Sequence, residues 1–171
     1  QWAGAAIAGP KSRDLLSKLL PSEDVTNDGF AFMHYKEVDL FGVKAKLFRI
    51  SFSGELAYEI NVPSDYGLFM WKKIIEVGKD FNLQPYGTEA LSTLRIEMGH
   101  VAGPELDGRT IPSDLSLDGM TSKKKDFIGK RSLSKKDFAK PQRQKIVGIV
   151  PLDKKTSIPE GSHLVKDKDF K

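Results

Sequence analysis

The chain reads as an α+β protein, a mainly antiparallel sheet with helices packed on one face. Three observations predict this. Residues 48–62, FRISFSGELAYEINV, form two arms around a glycine-containing turn. Phe48, Ile50 and Phe52 alternate with Arg49 and Ser51 on one arm, and Leu56, Tyr58, Ile60 and Val62 with Ala57, Glu59 and Asn61 on the other. That period of two marks half-buried strands. Leucines at 15, 16, 19 and 20, and the set Leu68, Trp71 and Ile75, recur at helical spacing. The order strand, helix, strand, strand, strand, helix suits helices laid on one side of an antiparallel sheet.

The pattern of the central hairpin also predicts its register. A two-residue loop at Ser53 and Gly54 would set Ile50 opposite Ala57 and mix the faces. A three-residue loop, Ser53-Gly54-Glu55, sets Phe48 opposite Ile60 and Ile50 opposite Tyr58, so the apolar faces agree, and it places Arg49 opposite Glu59.

In chain order, residues 2–9 (WAGAAIAG) read as a buried strand that runs into a helix with Pro10 at its first position. Residues 11–20 form that helix, and Pro21 stops it. Residues 23–29 are loop and 30–38 a strand, with a turn at residues 40–43 leading into the hairpin. After Pro63, Ser64 is the expected N-cap and Asp65 suits the first turn of a helix that ends near Gly78. Residues 82–87 link to a helix at 88–98, with Thr88 as cap and an apolar stripe of Ala90, Leu91, Leu94 and Met98, closed by Gly99. Residues 101–118 are loop-rich. Residues 145–152, KIVGIVPL, read as a strand that opens another unit. The expected organisation is a sheet-and-helix lobe at residues 1–81, a second lobe at 82–140, and the start of a C-terminal β-barrel at 141–171.

Composition narrows the function. With 171 residues, 39% hydrophobic content and ten Phe, the chain can bury a core. The absence of Cys excludes a disulfide scaffold, thiolate metal sites and a Cys nucleophile. No apolar run approaches the roughly 20 residues of a membrane span, and no signal peptide is visible, so a cytoplasmic place without membrane partners is expected. The chain opens on Gln1-Trp2-Ala3 without an initiator Met, and a fragment of a larger protein is expected. The net charge of +4 is uneven: between Thr121 and Lys145 stand ten Lys or Arg and two Asp, an excess of +8. With only Phe127 and Phe138 as aromatics there and no nucleic-acid motif, a solvated basic surface, or one that meets an acidic partner subunit or an anionic ligand tail, is favoured over nucleic-acid binding.

Among candidate sites, Glu59 stands mid-strand on the polar face. It reads either as a solvated carboxylate paired across the hairpin with Arg49, or as an acceptor for a heterocycle with adjacent N–H donors, since one carboxylate can accept a paired set. Glu55 reads as a turn residue. Tyr58 and Tyr86 read as core or rim aromatics, or as rings on which a flat ligand stacks. Arg95 lies at the edge of its helix stripe and reads as lying alongside Glu97 or a neighbouring loop, or as a buried, ion-paired arginine that ties helix to loop. His34, His100 and His163 lack ligand spacing, so no metal is expected. Ser53 is not in a nucleophile elbow, and no Gly-rich dinucleotide turn is present.

Six segments then stand in a recognisable order: WAGAAIAGPKSRDLL, SFSGELAYEI, YGTEALSTLRIEMGH, IPSDLSLDG, KKDFIGKRSL and KIVGIV. Together they resemble the folate-binding module shared by the glycine-cleavage T-protein (aminomethyltransferase), dimethylglycine and sarcosine dehydrogenases, and the α subunit of heterotetrameric sarcosine oxidase. The forms SFSGELAYEINVP and PYGTEALSTLRIE look closest to the last.

The resemblance implies three small domains around a central opening that holds tetrahydrofolate. It makes Glu59 a pterin ligand. An arginine at the helix start in T-proteins maps onto Leu91, so that polar contact is absent here. An aspartate that assists chemistry in the family lies upstream of Gln1, so no catalytic residue is expected in this chain. The expected folate contacts are Glu59, Tyr58, Glu55, Tyr86 and Arg95. The implied activity is capture, as 5,10-methylenetetrahydrofolate, of the one-carbon unit from sarcosine demethylation, within a larger hetero-oligomeric oxidase. Its flavin and NAD would be held by other parts, and this chain alone would be inactive. The alternatives left open are a stand-alone aminomethyltransferase and a non-catalytic folate-fold scaffold.

Overall fold

The computed structural model describes residues 1–163 and 165. The chain divides into two compact units, Gln1–Pro104 and Glu105–Lys171.

In the first unit, β1 (Trp2–Ala8) leads into α1 (Ser12–Leu19), followed by β2 (Tyr35–Leu40), β3 (Val43–Phe48), β4 (Ala57–Pro63), α2 (Gly67–Gly78) and α3 (Thr88–Met98). The strands form one antiparallel sheet in the order β1-β4-β3-β2. Between β2 and β3 a two-residue turn places Phe41 and Gly42 at φ 53° and 87°. Both are positive, as a tight hairpin that matches the strand twist requires. Asp39 Oδ1 accepts the Gly42 N–H at 2.7 Å and closes the turn.

One face of the sheet builds the core. Ile7, Val38, Leu40, Ala45, Leu47, Tyr58, Ile60 and Val62 meet Leu15, Leu16 and Leu19 of α1 and Met70 and Ile74 of α2. Because successive strand side chains alternate sides, the opposite face carries Trp2, Gly4, Ala6, Glu37, Lys46, Phe48 and Glu59.

Several expectations are corrected. The strand expected at 30–38 begins only at Tyr35. Residues 31–34 turn instead, with Met33 at φ 64° and the His34 N–H bonded to Ala31 O. Pro10 precedes α1 rather than opening it; Lys11 is the capping residue. Gly87, not Thr88, precedes the first turn of α3. The core side of α2 is Met70 and Ile74, whereas Leu68 and Trp71 are 66% and 47% exposed. The central hairpin is one residue out of its expected register: Phe48, not Arg49, lies opposite Glu59, and Leu47 lies opposite Ile60. The first arm is Val43–Phe48, whose inward residues are Val43, Ala45 and Leu47, so Phe48 falls on the outer face.

Residues 49–56 are a loop in place of the expected three-residue turn. Its backbone is claimed by neighbours other than β4. Arg49 exchanges bonds with Met33 and His34. The Nδ1–H of His100, just past α3, donates to Phe52 O at 2.8 Å, and the two rings sit 5.4 Å apart. Ser12 Oγ donates to Leu56 O at 2.8 Å.

The second unit holds short 3₁₀ turns, Pro112–Leu115 and Asp118–Met120, and the one-turn α4 (Lys130–Leu133). Asp114, 6% exposed, organises it. Its carboxylate accepts the Ile111 N–H at 3.0 Å and the Arg143 Nε–H at 2.9 Å, and its carbonyl accepts the Ile146 N–H at 2.8 Å. Residues 145–152 form no strand: Val147, Val150 and Leu152 are exposed, and the segment has no ladder partner among the described residues. A strand exists only with a neighbour to bond. Residue 164 and residues 166–171 of the expected barrel lie outside the described residues.

Candidate functional site

Glu59 stands in the middle of β4 on the face that carries no helix core. Across the strands its row runs Ala6, Glu59, Phe48, Tyr35. The Ala6 methyl leaves one side of the carboxylate low, and the Phe48 ring walls the other. Tyr35 lies against Phe48, ring centroids 5.1 Å apart. The Tyr35 hydroxyl donates to Glu37 Oε1 at 2.8 Å, a bond that holds the phenol pKa above its ordinary value.

Neither nearby cation takes up Glu59. Arg49, expected as its partner, instead donates through Nη1 to Phe30 O at 2.6 Å and through Nη2 to Asn27 Oδ1 at 2.9 Å. Lys46, diagonal to Glu59, lies over the Trp2 ring at 4.4 Å from its centroid. Among the described residues the Glu59 carboxylate has no hydrogen-bond or ion-pair partner. A half-exposed carboxylate between a methyl and an aromatic ring has both oxygens available to adjacent N–H donors of a flat ring.

The other four expected residues occupy different surroundings. Glu55 is exposed in the 49–56 loop. Tyr86 is exposed on the linker before α3 and borders a groove beside β1. Arg95 is 8% exposed and donates to His100 O at 3.2 Å, which fastens the end of α3. Tyr58 is a correction. It is fully buried on the helix-covered face, its ring stacked on Phe30 at 6.1 Å. One residue from Glu59 in a strand means the opposite side of the sheet, so Tyr58 offers no surface to a ligand at Glu59.

The Tyr58 hydroxyl is buried and without a partner among the described residues. Leaving such a group unpaired costs about 1–3 kcal/mol. Tyr58→Phe is therefore expected to leave urea stability unchanged or raise it by about 1 kcal/mol. A loss of more than that amount would show that the hydroxyl makes a bond essential to the fold.

Phe48 and Lys46 were missed as neighbours of Glu59. The signal that could have found them is the alternation VKAKLF at residues 43–48, which sends Val43, Ala45 and Leu47 inward and Phe48 outward. The Asp114–Arg143 pair joins residues 29 positions apart, and no local pattern marks it. Among the described residues, no His, Cys, Asp or Glu group is arranged to hold a metal. No helix among them is long and apolar enough to cross a membrane.

The sequence matches the GCVT N-terminal domain family over residues 1–125. It is 48% identical to the sarcosine oxidase subunit alpha of Rhizobium meliloti (strain 1021), over 96% of this chain and 17% of that protein. It is 44% identical to the same subunit from Corynebacterium sp. (strain P-1), over 98% of this chain and 18% of that protein. It is 33% identical to the aminomethyltransferase of Chloroherpeton thalassium, over 95% of this chain and 43% of that protein. The chain thus spans less than a fifth of the sarcosine oxidase relatives.

Proposed function

Because the chain belongs to the GCVT N-terminal domain family, we propose that it is the folate-binding part of a sarcosine-oxidase-like α subunit, with Glu59 as the carboxylate that grips the pterin. Identities of 44–48% to sarcosine oxidase alpha subunits, against 33–36% to aminomethyltransferases, favour the oxidase over the stand-alone transferase. The observation that carries the reading is the unclaimed Glu59 carboxylate beside Phe48, on a sheet face left uncovered by α1 and α2.

Tetrahydrofolate fits this arrangement chemically. A pterin edge presents paired N–H donors, which two carboxylate oxygens accept together, and its flat ring suits an aromatic wall. When bound, tetrahydrofolate supplies the amines that take up the one-carbon unit released by sarcosine oxidation, giving 5,10-methylenetetrahydrofolate. This chain's own residues bind and orient: Glu59 sets the position of the ring edge, and Phe48 limits its tilt. Glu55, Tyr86 and Arg95 enter the proposal as contacts of the wider pocket, whereas Tyr58 supports the strand from its core side. The flavin and NAD chemistry of the oxidase, and its other subunits, lie outside these residues.

Titration of this chain with tetrahydrofolate by calorimetry tests the reading. Glu59→Gln keeps the shape and removes the charge-assisted bonds. It is expected to weaken binding by roughly 1–3 kcal/mol, about 5- to 150-fold in Kd. Equal affinity of the two proteins removes Glu59 from the pocket, and no binding by either removes the claim that these residues hold folate unaided.

A further inference from the structure

The sheet has an open edge. Antiparallel ladders alternate hydrogen-bonded and non-bonded pairs. Gly9 N–H donates to Leu56 O at 2.9 Å, and Ser64 N–H donates to Gln1 O at 3.2 Å. With Ile7 opposite Tyr58 and Ala5 opposite Ile60, the odd residues of β1 bond to β4. The N–H and C=O groups of Trp2, Gly4, Ala6 and Ala8 therefore point away from β4. β1 ends the sheet, and no strand lies beyond it among the described residues. Proteins blunt such edges with proline, charge or a bulge. WAGAAIA has no proline and no charge, and its pairing with β4 is continuous.

A second observation adjoins this edge. A groove of about 550 Å³ runs along β1, bordered by Trp71 and Ile75 of α2 and by Phe81, Leu83 and Tyr86. Leu68, Trp71 and Ile75 form a helical apolar stripe that the core does not use, since α2 buries Met70 and Ile74 instead. An extended segment bonded to β1 would continue the sheet and seat every second side chain against Trp71 and Ile75. The free backbone groups and the idle stripe thus call for the same occupant.

The shared region is 17–18% of the sarcosine oxidase relatives and 39–45% of the aminomethyltransferases compared, so most of each relative lies outside it. We propose that the free edge of β1 takes a fifth strand, apolar at alternate positions, supplied by polypeptide of the kind that flanks this region in its relatives. This inference rests on family membership and not on the folate reading.

The probe is a set of overlapping peptides of about ten residues, the upper end of ordinary strand lengths. They cover the remainder of the Rhizobium meliloti relative and are added singly to this chain while amide hydrogen exchange is followed. A peptide with the alternating pattern is expected to slow exchange at Trp2, Gly4, Ala6 and Ala8 about tenfold or more. Ala6→Pro removes an outward donor that the β4 ladder does not use, and should abolish that protection while the far-UV circular dichroism stays unchanged. Trp71→Glu, at an exposed groove position, should weaken the same peptide even if the proline variant folds poorly. Three results overturn the proposal: no peptide protects these amides; a peptide binds both variants as well as the parent; or protection arises in the chain alone, rises with its concentration and vanishes in Ala6→Pro, which makes a second copy the occupant.

Discussion

Replacing Phe30 by alanine is expected to destabilise the first unit by about 3–5 kcal/mol, a large part of the roughly 5–15 kcal/mol that holds a domain together. Phe30 belongs to no helix or strand, yet its ring is completely buried and stacked on Tyr58. The surroundings cannot close over the space it would leave. Its N–H is tied to Thr26 O at 2.9 Å, and its carbonyl accepts Arg49 Nη1 at 2.6 Å. The Lys36 ammonium sits 5.5 Å from the ring centroid and would lose that contact as well. The cost of a core truncation rises with the cavity that persists, so the upper part of the range is expected. Both tryptophans, Trp2 and Trp71, lie in the first unit, and urea denaturation followed by their fluorescence reads it directly. Phe32→Ala, at a position 61% exposed two residues along, is the control and should change stability by no more than about 0.5 kcal/mol. A Phe30 cost as small as that of Phe32 would mean that the loop does not close the core.

Acid should loosen the second unit through Asp114. Its bond from Arg143, then the one from the Ile111 N–H, lower its pKa from an ordinary 3.8 to about 2. A carboxyl whose folded pKa lies below its unfolded value adds stability above the unfolded value and loses it as pH falls through the folded one. The contribution is thus complete above about pH 4 and is lost between about pH 4 and pH 2. Asp107, held by Arg109, and Asp153, held by Thr156, are also lowered to about 2 and titrate in the same window. Arg143→Gln separates Asp114 from them. The variant leaves a nearly buried carboxylate with its main partner gone, so it is expected to be clearly less stable than the parent at pH 7. The gap should narrow as pH falls from 4 to 2, because the parent then loses what the variant already lacks. Amide signals of Ile111 and Ile146, both bonded to Asp114, give the readout during thermal denaturation at each pH. A gap that stays constant across this range would show that the pair does not set the acid response.

The hairpin shows which features local patterning carried and which it did not. Alternation placed Ile60 and Val62 inward and Glu59 outward, and the structure keeps both assignments. The same alternation ranks Tyr58 with Ile60, a position that conflicts with a role as a ligand's stacking partner. The register differs by one residue because Phe48 ends the first arm rather than starting it, and the loop begins at Arg49. The segment that competes for Arg49 comes from residues 33 and 34, and no feature of residues 48–62 announces it. In the same way α2 has two apolar stripes in sequence, and only contact with α1 and the sheet selects Met70 and Ile74 for the core.

The order of motifs was enough to identify the family, and alternation within one of them was enough to put Glu59 on the outer face, because each motif is a run of neighbouring residues. Strand and helix type was equally local, since backbone sterics and side-chain period act within a few residues. Tertiary structure alone decided that Phe48 walls Glu59, that Arg49 turns away to Phe30 and Asn27, that Asp114 meets Arg143, and that β1 has a bare edge. Each of these depends on which distant segments compete for the same donor, face or edge, and that competition is settled by the free energy of the whole fold rather than by any stretch of it.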